Sequence, residues 1–187
     1  MNTQSTDNQQ LQWFPMRITY NRELKIKQLF DNMSIENFVP MRYDYVKTKD
    51  GGKKKMLIPA IRNLVFVKSS QEVLTNLKMT RAEFEPMRYM TRQSLETGRH
   101  EIIRIPDKQM DDFIKVASAP DESFIILENN DFINKIGKRV EITEGYFAGV
   151  EGVIKRIKRN RHVVVQIDGV AAVAIAFVPA RCLSIIN

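Results

Sequence analysis

The sequence predicts an α+β protein, in which helices cover a mostly antiparallel sheet and a small all-β barrel follows. Strand-like and helix-like segments alternate through residues 12–117. Beyond residue 130 the pattern changes to short β-prone runs separated by turn residues, and such short strands satisfy their edges best by closing into a barrel. The 187 residues, 43% of them hydrophobic, suffice for two small domains with separate cores.

The first domain is predicted over residues 12–117, after a disordered polar tail over residues 1–11. Its first strand runs from Trp13 to Thr19, at a sheet edge or bulge because Pro15 lacks an N–H group. Apolar residues at helical spacing predict the first helix over residues 22–33. A strand over 38–46 and an apolar run over 55–58 are predicted to form a hairpin with a lysine-rich tip over 47–55. The remaining elements are strands over 64–67, 85–90 and 102–105, a helix over 71–79, a polar loop over 92–100 and a last helix from 107 that turns Met110, Phe113 and Ile114 inward.

The boundary between the domains is predicted at a linker over residues 118–130, where two turn-rich clusters flank a short apolar run. The second domain then covers residues 131–187. Its five predicted strands span residues 139–143, 152–157, 162–167, 170–177 and 183–186.

Composition narrows the class of function. Lysine and arginine number 29 against 22 acidic residues, and the formal charge of +7 favours polyanionic surroundings such as nucleic acid. The sequence shows no secretory signal and no apolar run long enough to span a bilayer, so we expect a cytoplasmic protein without a membrane partner.

Catalytic and metal chemistry find no support in the sequence. His100 and His162 fall in different predicted domains, Cys182 is the single cysteine, and no phosphate-binding glycine loop or metal-ligand spacing occurs. We therefore expect no enzymatic activity, no cofactor and no metal.

The most specific motif lies between Gly137 and Ile154. Gly145, Gly149 and Gly152 permit a tight loop through positive φ or close backbone approach, and the loop leaves Phe147 at its tip. This pattern resembles the KOW motif of the NusG type, with Tyr146 in place of the customary proline. The resemblance implies a five-stranded SH3-like barrel whose Tyr146 and Phe147 contact a ribosomal protein or termination factor.

The leading half of the chain resembles the N-terminal domain of NusG proteins, which is a ferredoxin-like α/β sandwich. The shared features are Trp13 opening the first strand, a basic helix, the lysine-rich hairpin and Ile105-Pro106-Asp107 before the last helix. Three further features resemble specialised paralogues of the RfaH and UpxY kind, namely the segments 17–23, 39–41 and 88–90, although residues 75–78 (Thr-Asn-Leu-Lys) replace the RfaH stretch His-Thr-Thr-Thr.

This resemblance implies a transcription elongation or antitermination factor that binds RNA polymerase and suppresses pausing or termination. The polymerase contact is expected at Arg17, Tyr20, Ile61 and Phe66, and filling of the core is an equal alternative for Phe66. A ribosome-associated KOW protein that binds ribosomal RNA is the alternative function. A sequence-specific DNA-binding regulator is a further alternative, but the sequence contains no helix-turn-helix pattern to support it.

Basic residues are the candidates for contact with non-template DNA or nascent RNA, because their charges neutralise phosphates without reading sequence. A solvated surface is the alternative for each of them. The candidates in the first domain are Lys25, Lys27, Lys53, Lys54 and Lys55, and those in the second are Lys155, Arg156, Lys158, Arg159 and Arg161.

Overall fold

The computed structural model describes residues 9–120, 124–127, 137–157 and 160–186. It divides into two units, Met1–Ile105 and Pro106–Asn187. Most of the predicted tail, residues 1–8, and parts of the predicted linker lie outside the described residues.

The first unit is built from helices α1 and α2 and strands β1 to β8. Helix α1 spans Glu23–Asn32 and α2 spans Gln71–Thr80. The strands are β1 (Gln12–Ile18), β2 (Asn37–Phe38), β3 (Met41–Lys47), β4 (Lys53–Pro59), β5 (Leu64–Ser69), β6 (Met87–Tyr89), β7 (Thr91–Gln93) and β8 (His100–Ile102).

Its main sheet has the antiparallel order β2-β5-β1-β6, and β3–β4 and β7–β8 form two-stranded sheets of their own. Strand alternation puts Phe14, Met16 and Ile18 of β1 on one face, where they join the core formed with both helices. Helix α1 contributes Ile26 and Phe30 to this core, since residues four apart share a helix face.

Strand β1 lies inside the sheet, so the prediction that Pro15 marks an edge is wrong. Pro15 pairs with Phe66 of β5, and the next residues of β1 pair with β6. The Pro15 carbonyl accepts from the Met90 N–H at 3.3 Å. The nitrogen of Pro15 faces the same side of β1 as its carbonyl, and on that side the three-residue β6 ends at Tyr89. The N–H that proline lacks would therefore have had few ladder hydrogen bonds to make.

The predicted loop over residues 92–100 instead contains the hairpin β7–β8, in which Thr91 pairs with Ile102. Its β7 residues are exposed on both faces, which removes the apolar alternation that marks a half-buried strand. The predicted strand over 102–105 keeps only Ile102 in β8, while Ile105 makes an isolated bridge to Trp13.

The second unit combines helix α3 (Asp107–Ala117) with a six-stranded antiparallel sheet of order β14-β10-β11-β12-β13-β9. The strands are β9 (Phe124–Leu127), β10 (Arg139–Ile142), β11 (Glu151–Ile157), β12 (Asn160–Ile167), β13 (Ala171–Ile175) and β14 (Leu183–Ile185). Five strands were expected. The sixth, β9, falls in the predicted linker and pairs with β13, and among the described residues no ladder joins β14 to β9.

Helix α3 packs on β12, β13 and β9 of the second unit, whereas the sequence predicts it as the last element of the first domain. Its apolar side chains Met110, Phe113 and Val116 are buried. The structure divides at residues 105 and 106, and the domain boundary after residue 117 stays a prediction. None of the helices in the described ranges is long and apolar enough to cross a membrane.

Candidate functional site

One corner of the first unit gathers three of the predicted polymerase contacts. Arg17 is exposed near the end of β1, where it lies opposite Arg88 of β6. Tyr20 follows in the turn before α1, with a side chain that is 76% exposed. Tyr20 and Asn21 both adopt positive φ, at 66° and 50°, a conformation that non-glycine residues adopt at a cost and that often marks functional turns.

Buried Glu23 ties this corner to the turn that carries Ile61. Its carboxylate accepts from the Asn63 N–H, and the Asn63 carbonyl accepts from the Ile18 N–H at 2.9 Å. Asn63 itself has φ 60°. The end of β1, the start of α1 and the turn before β5 are thereby joined around one carboxylate. The partly exposed Ile61 belongs to that turn.

Phe66 lies elsewhere and is fully buried. Strand alternation puts it on the sheet face opposite the core of α1 and α2, together with Leu64 and Trp13, which are also buried. Of the two roles weighed for Phe66, the structure places it in the interior.

A second group joins α2 to the main sheet at Tyr89. The Tyr89 hydroxyl donates to the Gln71 carbonyl at 3.1 Å and lies 3.1 Å from Thr75 Oγ1. Lys78 Nζ lies 4.9 Å from the centre of the Tyr89 ring. Burial raises the pKa of the Tyr89 phenol, and burial also lowers the pKa of Lys78, with a smaller contribution from the charge of Arg88.

The predicted cations of the first unit differ in their surroundings. Lys27 Nζ lies 2.8 Å from Asp31 on the next turn of α1, and this hydrogen bond, with one from Asn37, lowers the pKa of Asp31. Lys25 is exposed on the same helix. Lys53, Lys54 and Lys55 are exposed along β4, where alternation divides them between the two faces of the hairpin.

The glycine loop of the second unit has the predicted backbone. Gly145 and Gly149 have φ of 84° and 83°, and a Cβ added at Gly152 would lie 2.8 Å from the Val164 carbonyl oxygen. The exposed Tyr146 ring meets the half-buried Phe147 ring edge to face, with centroids 5.1 Å apart. A pocket of about 290 Å³ opens beside them, lined by Ile142, Glu144, Gly145, Tyr146, Phe147, Phe177, Val178, Pro179 and Cys182.

Phe177 was missed as a site residue because the sequence assigns it to a strand over residues 170–177. In the structure β13 ends at Ile175, and the Phe177 side chain is 78% exposed at the pocket. A large aromatic two residues before Pro179 was the available signal, since proline cannot donate to a strand ladder and so argues against a central strand there.

Helix α3 donates two side-chain hydrogen bonds to the backbone of the glycine loop. Lys108 Nζ donates to the Gly149 carbonyl and Lys115 Nζ to the Ala148 carbonyl, both at 2.7 Å. Buried Asp112 accepts from Lys108 at 2.6 Å and from the Glu151 N–H at 3.2 Å. These contacts fix the backbone on which Tyr146 and Phe147 stand.

The structure describes three of the five basic residues predicted on the second unit, and two of these three are exposed. Arg156 and Arg161 lie directly opposite each other on β11 and β12, and both are exposed. Lys155 is instead buried, its ammonium donates to Gln166 Oε1 at 2.7 Å, and burial lowers its pKa. Lys158 and Arg159 lie outside the described residues.

Within the described ranges, histidine, cysteine and acidic residues form no group suited to a metal ion. His162 is buried, with Nδ1 3.1 Å from the Ile175 carbonyl oxygen. The Cys182 thiol donates to Glu144 Oε2 at 3.7 Å.

Comparison with known proteins identifies the family. Residues 11–114 match the family described as transcription termination factor NusG. Comparison with curated proteins gives no match. A solved structure of Thermotoga maritima NusG is similar at 16% identity and a TM-score of 0.43, covering 95% of this chain and 98% of that one. Because the family match extends over more than half of the chain, the protein belongs to the NusG family.

Proposed function

We propose that this protein is a non-enzymatic transcription elongation or antitermination factor that contacts RNA polymerase through its first unit and a second protein through its second unit. Proteins of the NusG family generally bind RNA polymerase, and the family match covers the first unit. The observation that carries the proposal is the exposed Tyr20, which has a left-handed backbone conformation in the turn after β1 and the Arg22 guanidinium 5.6 Å from the centre of its ring.

Tyrosine and arginine are the side chains that most often dominate protein interfaces. Arg17 stands near the end of β1 and Tyr20 in the turn that follows it, and buried Glu23 at the start of α1 accepts a hydrogen bond from the Asn63 N–H. A backbone held in this way loses little conformational entropy when a partner binds. We assign the polymerase contact to Arg17, Tyr20 and Ile61, whereas Phe66 of β5 is buried. Binding energy, not chemistry, would then stabilise the elongating state of the polymerase.

The test is binding of the full chain to purified RNA polymerase, followed by transcription through a pause site and a terminator. Arg17→Ala and Tyr20→Ala should each weaken binding about tenfold or more and reduce read-through. Arg99→Ala and Leu95→Ala are matched controls, because both side chains are exposed on a different hairpin. The assignment would be contradicted if Arg17→Ala and Tyr20→Ala both bound polymerase as tightly as the unmodified protein does.

For the second unit we propose a KOW domain that recruits a ribosomal protein or a termination factor at Tyr146, Phe147 and Phe177. Three aromatic side chains line one apolar pocket, and two lysines of α3 donate hydrogen bonds to the backbone of the loop. Phe177→Ser should weaken capture of that partner without changing the midpoint of unfolding, since the ring is mostly exposed. Capture that is unchanged by Phe177→Ser would rule out the pocket.

The second candidate function, a ribosome-associated protein that binds ribosomal RNA, is favoured by the exposed pair Arg156 and Arg161. Two arginines placed directly opposite each other repel unless an anion lies between them. Affinity capture from lysate separates the two functions. Recovery of ribosomal subunits without polymerase would favour the ribosomal function.

The narrower assignment, a specialised paralogue of the RfaH and UpxY kind acting in the cytoplasm on long operons, is part of the same proposal. It is supported by the segments 17–23, 39–41 and 88–90. We expect the protein to increase transcriptional read-through of one operon and to leave other operons unaffected.

A further inference from the structure

The pocket of the second unit carries one charge in an otherwise uncharged lining. Among the lining residues that the structure describes, Glu144 is the only charged one, and none is a lysine or an arginine. The Glu144 carboxylate accepts from the thiol of Cys182, which also lines the pocket, so one carboxylate oxygen lies at the pocket wall. The chain as a whole has a formal charge of +7, and the charge of the pocket is therefore opposite to that of the protein.

Three aromatic rings line the same pocket. Tyr146 is 62% exposed and Phe177 is 78% exposed. The rings of Tyr146 and Phe147 stand at 90° to each other, so at least one face of each ring is left uncovered by the other. We call Tyr146, Phe147, Phe177 and Glu144 the aromatic cage. Because the face of an aromatic ring carries partial negative charge, the rings and the carboxylate both attract a cation.

The size of the pocket suits a single side chain. Its volume of about 290 Å³ lies just below the range of about 300–1,000 Å³ that is usual for sites enclosing a whole small molecule. A partner protein can therefore insert one side chain while the rest of its contact surface stays outside.

The charge of the pocket favours a cationic occupant over an apolar side chain and over a phosphate. An apolar side chain would cover the Glu144 carboxylate without pairing it, and removing an unpaired charge from water is costly. A nucleic-acid phosphate would be repelled by the same carboxylate. A cation instead pairs with the carboxylate and lies against the rings.

We propose that the aromatic cage binds an arginine side chain of the partner protein, with the guanidinium against an aromatic face and paired with the Glu144 carboxylate. This inference rests on the proposed recruiting function and names the chemistry that the partner presents. Arginine is favoured over lysine, because a planar guanidinium stacks on rings and can also make two parallel hydrogen bonds to a carboxylate. Arginine is also enriched in protein interfaces, whereas lysine is depleted.

Small probes test the cage without the partner. Nα-acetylarginine amide is titrated into the isotope-labelled full chain, and backbone amide shifts are followed by NMR. The shifts should change at Gly145, Tyr146, Phe147 and Cys182. The citrulline analogue has nearly the same shape without the charge and should bind at least about fivefold more weakly. The lysine analogue should also bind more weakly than the arginine probe.

Substitutions separate the carboxylate from the rings. Glu144→Gln keeps the size of the side chain and should weaken binding of the arginine probe about fivefold, while binding of the citrulline probe changes less than about twofold. Phe177→Leu keeps an apolar side chain without the ring and should weaken binding of the arginine probe about threefold. Glu141→Gln is the matched control, because it removes the same charge three residues earlier, outside the pocket lining. Thermal unfolding verifies that the variants are folded, which is expected because these side chains are at least partly exposed.

Four outcomes would overturn the inference. The first is that the arginine probe shifts none of the amides around the pocket. The second is equal affinity for the arginine and citrulline probes. The third is tighter binding of the lysine probe than of the arginine probe. The fourth is that Glu141→Gln weakens binding of the arginine probe as much as Glu144→Gln does.

The cage and the recruiting function fail in different ways. If Phe177→Ser prevents capture of the partner while Glu144→Gln changes neither that capture nor binding of the arginine probe, the pocket recruits through apolar contact and the cage inference is wrong. If the arginine probe binds as expected but Phe177→Ser leaves capture unchanged, the cage binds arginine and the recruiting function is wrong.

Discussion

The Glu23 carboxylate accepts a hydrogen bond from the backbone N–H of Asn63, 40 residues away in the sequence, and Glu23 is buried while Asn63 is partly buried. The same carboxylate stands in the first turn of α1, where the helix dipole favours a negative charge. One side chain thus stabilises both the start of a helix and the turn before β5.

Replacing Glu23 should therefore destabilise the first unit and loosen the corner that carries Tyr20. Glu23→Ala leaves the Asn63 N–H without its acceptor and should cost about 1–3 kcal/mol of unfolding free energy. Glu23→Gln keeps an acceptor oxygen and should cost less, about 0.3–1 kcal/mol for the missing charge at the helix start. Urea unfolding measures both, and equal effects of the two variants would contradict this role.

Tyr89 should give the protein an alkaline limit. Its pKa is raised by burial, so the folded state holds the phenolic proton more tightly than the unfolded state does. This stabilisation is fully present below about pH 10 and disappears as the pH rises through the folded-state pKa.

Tyr89→Phe removes two hydrogen-bonding contacts and should reduce the free energy of unfolding by about 1 kcal/mol at neutral pH. Above about pH 10, the free energy of unfolding should decrease less in this variant than in the unmodified protein. Unfolding in urea at the two pH values measures both effects. Tyr20→Phe is the control, since that side chain is mostly exposed. The prediction would be contradicted if the free energy of unfolding decreased equally at alkaline pH in the unmodified protein and in Tyr89→Phe.

Asp112 should be essential for the second unit, whereas its neighbour Asp111 should not. Asp112→Ala removes the acceptor for both Lys108 and the Glu151 N–H, and should lower the free energy of unfolding by about 1–3 kcal/mol. Asp111→Ala changes an exposed carboxylate on the same helix and should stay within about 0.5 kcal/mol. Similar effects of the two substitutions would show that α3 is not held through Asp112.

Gly152→Ala should be more costly than Gly149→Ala. A Cβ at Gly152 would meet the Val163 side chain at 2.7 Å and the Val164 backbone oxygen at 2.8 Å, and the backbone atom cannot rotate away. Gly149 has open space and a positive φ, so alanine there costs about 1–2 kcal/mol of backbone strain. Denaturant midpoints of the two variants test the order, and the reverse order would contradict it.

Local patterns in the sequence were sufficient for the helices and for the glycine loop. Ile26 with Phe30, and Leu74 with Leu77, recur at helical spacing, and they lie in the core of the first unit. The positive φ of Gly145 and Gly149 likewise follows from residue type, because glycine has no Cβ to clash there. These features depend on residues a few positions apart.

Burial and strand pairing were decided by residues far away in the chain. Pro15 lies inside a sheet because β6 ends before reaching it, and β9 is a strand because β13 lies alongside it. The sequence made Phe66 a candidate for a binding face and Lys155 a candidate for a charged surface, yet both residues are buried. The sequence by itself determined the family, the helices and the loop chemistry. Only the tertiary structure decided which faces are covered, because pairing between strands and removal of side chains from solvent arise between distant segments.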